Sequence, residues 1–331
     1  MRLPSPNEGL PPPGPPKWRG ALALSIVTAG YLAVLIYVDR DAHALERLTA
    51  LAAPLLVCSA LVLASFALRY QRWHGALQRQ GHPVDHWRGL RAYLAGFAFT
   101  ASPGKAGELL RIRYFAAMGV PSRTVLATFI HERGQDLLIL TLLGMSAAAL
   151  VPALGAVLGL VLTLLILLLT SCSAWLQTRL LRLIRLVPVT PFRRLASFLF
   201  DGLIAAGPLW RPAAALPGMA WGTIAWLLSA LAFATLCSAV GLQLAWHQAL
   251  GIYPIAMLAG AVSFVPGGVG TTEAAIVLML AATGASLDAA LAVAVGIRLT
   301  SLWLAVAVGL LAMTNLELQA TQAPSSPSRP H

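Results

Sequence analysis

Three residue types recur in this chain at one fixed offset. Glu108 is followed by Gly119 and Arg133, and in the second half Glu273 is followed by Gly284 and Arg298 at the same two spacings. Ala127 and Ala292 keep that register as well. Each carboxylate follows a glycine-rich break, Ser102-Pro-Gly-Lys-Ala-Gly-Glu108 in the first half and Val265-Pro-Gly-Gly-Val-Gly-Thr-Thr-Glu273 in the second. A guanidinium at such a position can hold a phosphate, and a carboxylate can gate or carry a proton. The free N–H groups of a helix that starts after a glycine break also attract anions. Recurrence at a fixed period marks an internal repeat, and interrupted apolar segments at matching places in two halves point to a transporter's substrate site.

The elements that must position these residues follow from composition. Hydrophobic residues make up 58% of the 331 and charged residues 11%, and the mean hydropathy is +0.76. Several apolar runs reach the roughly 20 residues that cross a hydrocarbon core. In lipid every backbone polar group must be paired within its own segment, so the expected class is an all-α polytopic membrane protein. Cys58, Cys172 and Cys237 stand singly in apolar runs, with no metal or disulfide spacing. The net charge of +11 falls between apolar runs, where cytoplasmic loops carry it, so no nucleic-acid partner is expected.

Along the chain, residues 1–19 form a proline-rich tail expected to be disordered, residues 20–314 a single transmembrane domain, and residues 315–331 a second disordered tail. About six full spans are expected: 20–38, 48–68, 122–150, 154–174, 218–242 and 286–313. Residues 69–91 read as a basic loop, and Thr178–Leu186 as a basic amphipathic segment at the interface. The apolar stretches before Pro103 and Pro266 are too short to cross, so each is expected to turn back at its glycine tip as a re-entrant hairpin. Repeat A covers about 48–150 and repeat B about 218–314. With the N-terminus inside, 18 of the 23 Lys and Arg become cytoplasmic, which sets the orientation and places both termini in the cytoplasm. The two hairpins then enter from opposite sides, forming an inverted repeat.

Arg133 lies about 16 Å into its span and Arg298 about 18 Å into its own, from opposite ends at 1.5 Å per residue. Charges at that depth need partners or water. Asp136 shares a helix face with Arg133, and Glu132 and Glu108 are candidate partners between segments. The candidate transport residues are therefore Lys105, Glu108, Glu132, Arg133, Asp136, Glu273 and Arg298. The re-entrant tips are Pro103, Gly104 and Gly107, then Pro266, Gly267, Gly268 and Gly270. Plainer roles compete: Glu108 and Glu273 as helix-capping carboxylates, Arg133–Asp136 as a structural pair, His131 as an interior histidine, and Trp18, Trp73, Trp87, Trp175, Trp210 and Trp246 as interface anchors.

Pro103-Gly-Lys-Ala-Gly-Glu108 with Arg111, Gly119 and Glu132-Arg133…Asp136 resembles the first signature of the lysylphosphatidylglycerol synthase transmembrane (flippase-like) family. Pro266-Gly-Gly-Val-Gly…Glu273, Gly284 and Arg298 resemble its second, and the likeness covers about residues 20–314. A basic residue that many relatives carry just before Glu273 is here Thr271-Thr272. The resemblance implies a bacterial inner-membrane protein that moves a phospholipid, glycolipid or hopanoid-class lipid between leaflets, without a cofactor and as a possible homo-oligomer. Bifunctional relatives also carry a soluble synthase domain. None is present in these 331 residues, so the chain is not expected to be an enzyme. The rival expectations are a membrane-embedded enzyme on lipid-linked substrates and a non-transporting accessory subunit. Against the first, the sequence holds no HExxH or nucleophile-elbow motif.

Overall fold

The computed structural model describes residues 51–150, 152–170, 178, 179, 182 and 190–322. The expected N-terminal tail and first span lie outside these residues, as do most of the amphipathic segment at 178–186 and the end of the C-terminal tail. Among the described residues every element is helical and no strand occurs.

The helices are α1 (Ala52–Arg79), α2 (His86–Ala95), α3 (Arg111–Ala116), α4 (Ser122–Gly144), α5 (Pro152–Thr170), α6 (Thr190–Ala206), α7 (Pro212–Ala239), α8 (Trp246–Val262), α9 (Thr271–Ala282), α10 (Leu287–Arg298) and α11 (Leu304–Gln322). Short 3₁₀ segments cover Gly96–Phe99, Pro103–Leu110 and Pro266–Gly268, and a π turn at Leu299–Trp303 joins α10 to α11. Three stretches are long and apolar enough to cross a membrane: Ala52–Arg79, Pro212–Ala239 and Leu287–Ala320. Their outward faces carry large apolar side chains, with Leu56 73%, Leu216 66% and Leu311 73% exposed, a pattern that lipid tolerates and water does not.

The two halves repeat turn for turn. At the end of α1, the N–H groups of Gln80, Gly81 and His82 donate to the carbonyls of Ala76, Gln78 and Leu77. At the end of α7, Val240, Gly241 and Leu242 donate in the same pattern to Leu236, Ser238 and Cys237. The turns before α4 and α10 match at the repeat offset, with Gly119 at φ 79° and Gly284 at φ 88°. Both are left-handed positions that a side chain resists, which explains why glycine holds them. α1 and α7 pack along each other, and the Cys58 thiol reaches the Ala232 carbonyl at 3.1 Å.

Both glycine-rich stretches break their helices, and the two breaks touch. Gly267, at φ 65°, leaves room for Ala101 of the first half, whose Cα would lie 3.4 Å from an added Cβ. Gly107 runs so close to Phe99 that any Cβ would meet its carbonyl oxygen at 2.4 Å. Proline and glycine stop the helix, and close backbone passage then fixes the fold of the break.

Three expectations are corrected here. α1 runs through Arg79, so Arg69 and Arg72 are helical and buried, at 7% and 2% exposure, where a basic loop was expected. Hydropathy drops at Arg69 because an arginine looks costly in lipid, but partners on α4 neutralise it. Trp73 is 1% exposed and packs within the core, whereas Trp87 and Trp246 are indeed exposed. α11 continues to Gln322, past the expected limit at Thr314. Glu317 is held there by Arg113 at 2.7 Å and the Tyr114 hydroxyl at 2.8 Å, and Arg91 reaches Asn315 and Gln319.

Candidate functional site

The centre of the site is one turn of α4, where Glu132, Arg133 and Asp136 meet charges from three other elements. Arg72 of α1 bridges Glu132 at 3.0 Å and Asp136 at 2.9 Å. Arg69, one turn away on the same helix, lies 3.6 Å from Asp136 with its guanidinium 4.1 Å from the Trp226 ring centre. Arg111, at the start of α3, contacts Glu108 at 3.2 Å and Glu132 at 3.4 Å. Arg133 reaches Glu132 and Asp136 at 3.3 Å and Glu108 at 3.9 Å.

Neutral donors complete the shell. The Tyr93 hydroxyl donates to Glu132 at 2.7 Å, Thr100 to Glu108 at 2.8 Å, and the Trp226 indole N–H to Asp136 at 3.0 Å. Helix ends and small residues make the geometry possible. Arg111 Nε donates to the Tyr93 carbonyl at 3.0 Å, near the end of α2. It crosses Gly96, where a Cβ would come within 2.5 Å of it, and lies over the Tyr93 ring at 3.9 Å. Gly222 on α7 similarly makes room for Arg72. Taking ions out of water costs several kcal/mol each, and only this density of partners repays it.

The second half makes the same carboxylate–guanidinium pair more simply. Arg298 Nε contacts Glu273 at 2.9 Å, and the same guanidinium donates to the Gly267 carbonyl. Arg298 thereby fastens the second break to the far end of α10, and at 1% exposure it is more deeply enclosed than Arg133, at 21%. At the repeat offset, the counterparts of Glu132 and Asp136 are Ile297 and Ser301. Charge is concentrated in the first half.

A cavity of about 550 Å³ opens against this cluster. Arg69, Lys105, Glu108, Arg133, Asp136 and Arg298 line its charged side. Leu137, Leu140, Met257, Val262, Phe264 and Leu302 line its apolar side. Both breaks border it, the first through Ser102 and Lys105 and the second through Val265, Gly267 and Gly268. Lys105 sits at φ 57°, a left-handed backbone that costs a residue with a Cβ about 1–2 kcal/mol. Its side chain makes no ion pair or hydrogen bond among the described residues.

Of the residues expected from sequence, Lys105, Glu108, Arg133, Asp136, Arg298, Gly267 and Gly268 share this cavity. Glu132 lies behind it in the ion network, and Glu273 stands behind Arg298. Pro103, Gly104, Gly107, Pro266 and Gly270 lie in or beside the breaks themselves. Sequence reasoning missed Arg69, Arg72, Tyr93, Thr100 and Trp226. The one available signal was the spacing of Arg69 and Arg72, three apart on one helix face and directly after an apolar run. His131 is interior, 3% exposed with its ring 4.8 Å from Trp210. No group of three or more His, Cys, Asp or Glu able to hold a metal ion occurs among the described residues.

These features define a multi-pass helical membrane protein that keeps a charged cavity between its two halves. The chain belongs to the lysylphosphatidylglycerol synthase TM region family, which it matches over residues 20–309. Membership sets it among membrane proteins of lipid modification or translocation. A comparison with curated proteins finds no match.

Proposed function

We propose that this protein moves an anionic or polar-headed lipid between the leaflets of a bacterial inner membrane. It would do so with six spans and two oppositely oriented re-entrant hairpins, and with both termini in the cytoplasm. The observation that carries the reading is the mixed lining of the cavity: charge comes from α1, α4, α10 and the first break, and apolar side chains from α1, α4, α5, α8 and the π turn before α11. A headgroup at the charged side and acyl carbons along the apolar side satisfy both halves at once. Intramembrane ionisable residues that line a cavity mark substrate pathways in general.

The purified chain, reconstituted into vesicles with a lipid labelled on its headgroup, should give an impermeant quencher access to the inner-leaflet label as well as the outer. Quenching no faster than in protein-free vesicles would exclude translocation, and conversion of the label into a new lipid species would point to an enzyme.

Orientation has its own test. Pro121 and Ser286 are exposed, equivalent residues at the starts of α4 and α10. With Cys58, Cys172 and Cys237 replaced by alanine, Pro121→Cys should react with an impermeant maleimide from the cytoplasmic side and Ser286→Cys from the other. Labelling of both from one side would rule out the inverted arrangement.

A further inference from the structure

The charges around the cavity do not balance. Among the described residues, Arg69, Arg72, Arg111, Arg133 and Lys105 of the cluster face only Glu108, Glu132 and Asp136. Arg298 and Glu273 cancel each other. The excess is two positive charges. A half-open site with this excess attracts an anion, since poorly hydrated charge needs a partner.

The unused donors on cavity-lining residues sharpen the point. Lys105 is unpartnered among the described residues, and Arg133 Nε is buried without a hydrogen bond. The Thr272 hydroxyl has no partner either, although the residue is fully buried. Thr272 stands in the first turn of α9 and lines the cavity, and Gly260 and Gly268 leave the space that its hydroxyl occupies. Near neutral pH a phosphate monoester carries about −1.5 to −2 charges and three strong acceptor oxygens. It matches the excess charge, and Lys105 offers it an ammonium unpaired among the described residues.

Building on the transport reading, we infer that the cavity selects lipids whose headgroup ends in a phosphate monoester, and that it rejects headgroups bearing an added ammonium. Phosphodiester lipids rank between them, with one negative charge and two free oxygens. A neutral zwitterion answers neither count. A lysine-bearing headgroup brings a cation beside Lys105 and Arg133, where like charges repel.

The test compares transfer rates in vesicles containing the full-length chain, using lipids labelled on a short acyl chain so that the headgroup is free. Phosphatidic acid should cross at least about tenfold faster than phosphatidylcholine, the scale of one charge-assisted hydrogen bond. Phosphatidylglycerol should fall between, and lysylphosphatidylglycerol should be slowest. Equal rates for all four, or a fastest rate for the lysyl lipid, would overturn the selectivity while leaving translocation intact. No transfer of any lipid would defeat the transport reading itself. Radiolabelled glycerol 3-phosphate serves as the soluble monoester and should not accumulate, because the apolar side of the cavity has nothing to hold in it. Its uptake without transfer of phosphatidic acid would assign the site to free phosphate esters and overturn the lipid proposal.

Discussion

Arg72→Ala is expected to destabilise the protein by about 3–5 kcal/mol, the range for stripping one partner from a buried ion pair. The guanidinium is 1% exposed and makes the two shortest ion pairs in the cluster, 3.0 Å to Glu132 and 2.9 Å to Asp136. Alanine leaves both carboxylates facing a space too enclosed for full hydration. By the size scaling of thermal unfolding this corresponds to a fall of roughly 10 °C in melting midpoint, readable in detergent by intrinsic fluorescence. Removing one of the two stranded carboxylates as well, in Arg72→Met with Glu132→Gln, should recover part of that loss, because Asp136 then remains with Arg69 and Arg133 as its partners. A single variant that melts within a degree or two of the parent would show that Arg72 is solvated, and the buried network would have to be redrawn.

What the sequence made legible and what it hid divide along one physical line. The glycine breaks and the recurrence of Glu, Gly and Arg in each half are local in sequence or fixed by the repeat offset. They were accordingly readable from spacing alone. Arg69 and Arg72 were hidden because hydropathy scores each residue as if it met lipid alone. Their partners, Glu132 and Asp136, lie on another helix far along the chain, and no window reaches that far. The same blindness shifted the reading of Trp73, which buries against Tyr93 and Phe115. It also ended the last span too early, because the polar residues from Asn315 to Gln319 resemble a tail until Arg91 and Arg113 are seen to hold them. The asymmetry between halves was open to inspection, since Ile297 and Ser301 stand where the first half has Glu132 and Asp136. Its meaning emerges only when both halves are seen to border one cavity.

That asymmetry separates structural from transporting arginines. Arg133 contacts three carboxylates, but at 3.3–3.9 Å and with 21% of its side chain exposed, while Arg72 and Arg111 are at 1% and 0%. Removing its charge leaves Arg69, Arg72 and Arg111 ion-paired with Glu108, Glu132 and Asp136, each carboxylate keeping its shortest ion pair, with Lys105 as the remaining excess charge among the described residues. Stability should therefore change little in Arg133→Gln, by no more than a few degrees in the same melt. Transfer should fall much further. A charge-assisted hydrogen bond to phosphate is worth about 1.5–3 kcal/mol, or roughly 10- to 150-fold in rate where the bond forms at the limiting step. The loss should be greatest for phosphatidic acid and small for phosphatidylcholine, and Arg133→Lys should keep part of the rate because it keeps the charge without the fork. A well-folded Arg133→Gln protein that transfers phosphatidic acid as fast as the parent would remove the arginine from the headgroup site. The excess charge would then have to be assigned to Lys105 and Arg69 alone.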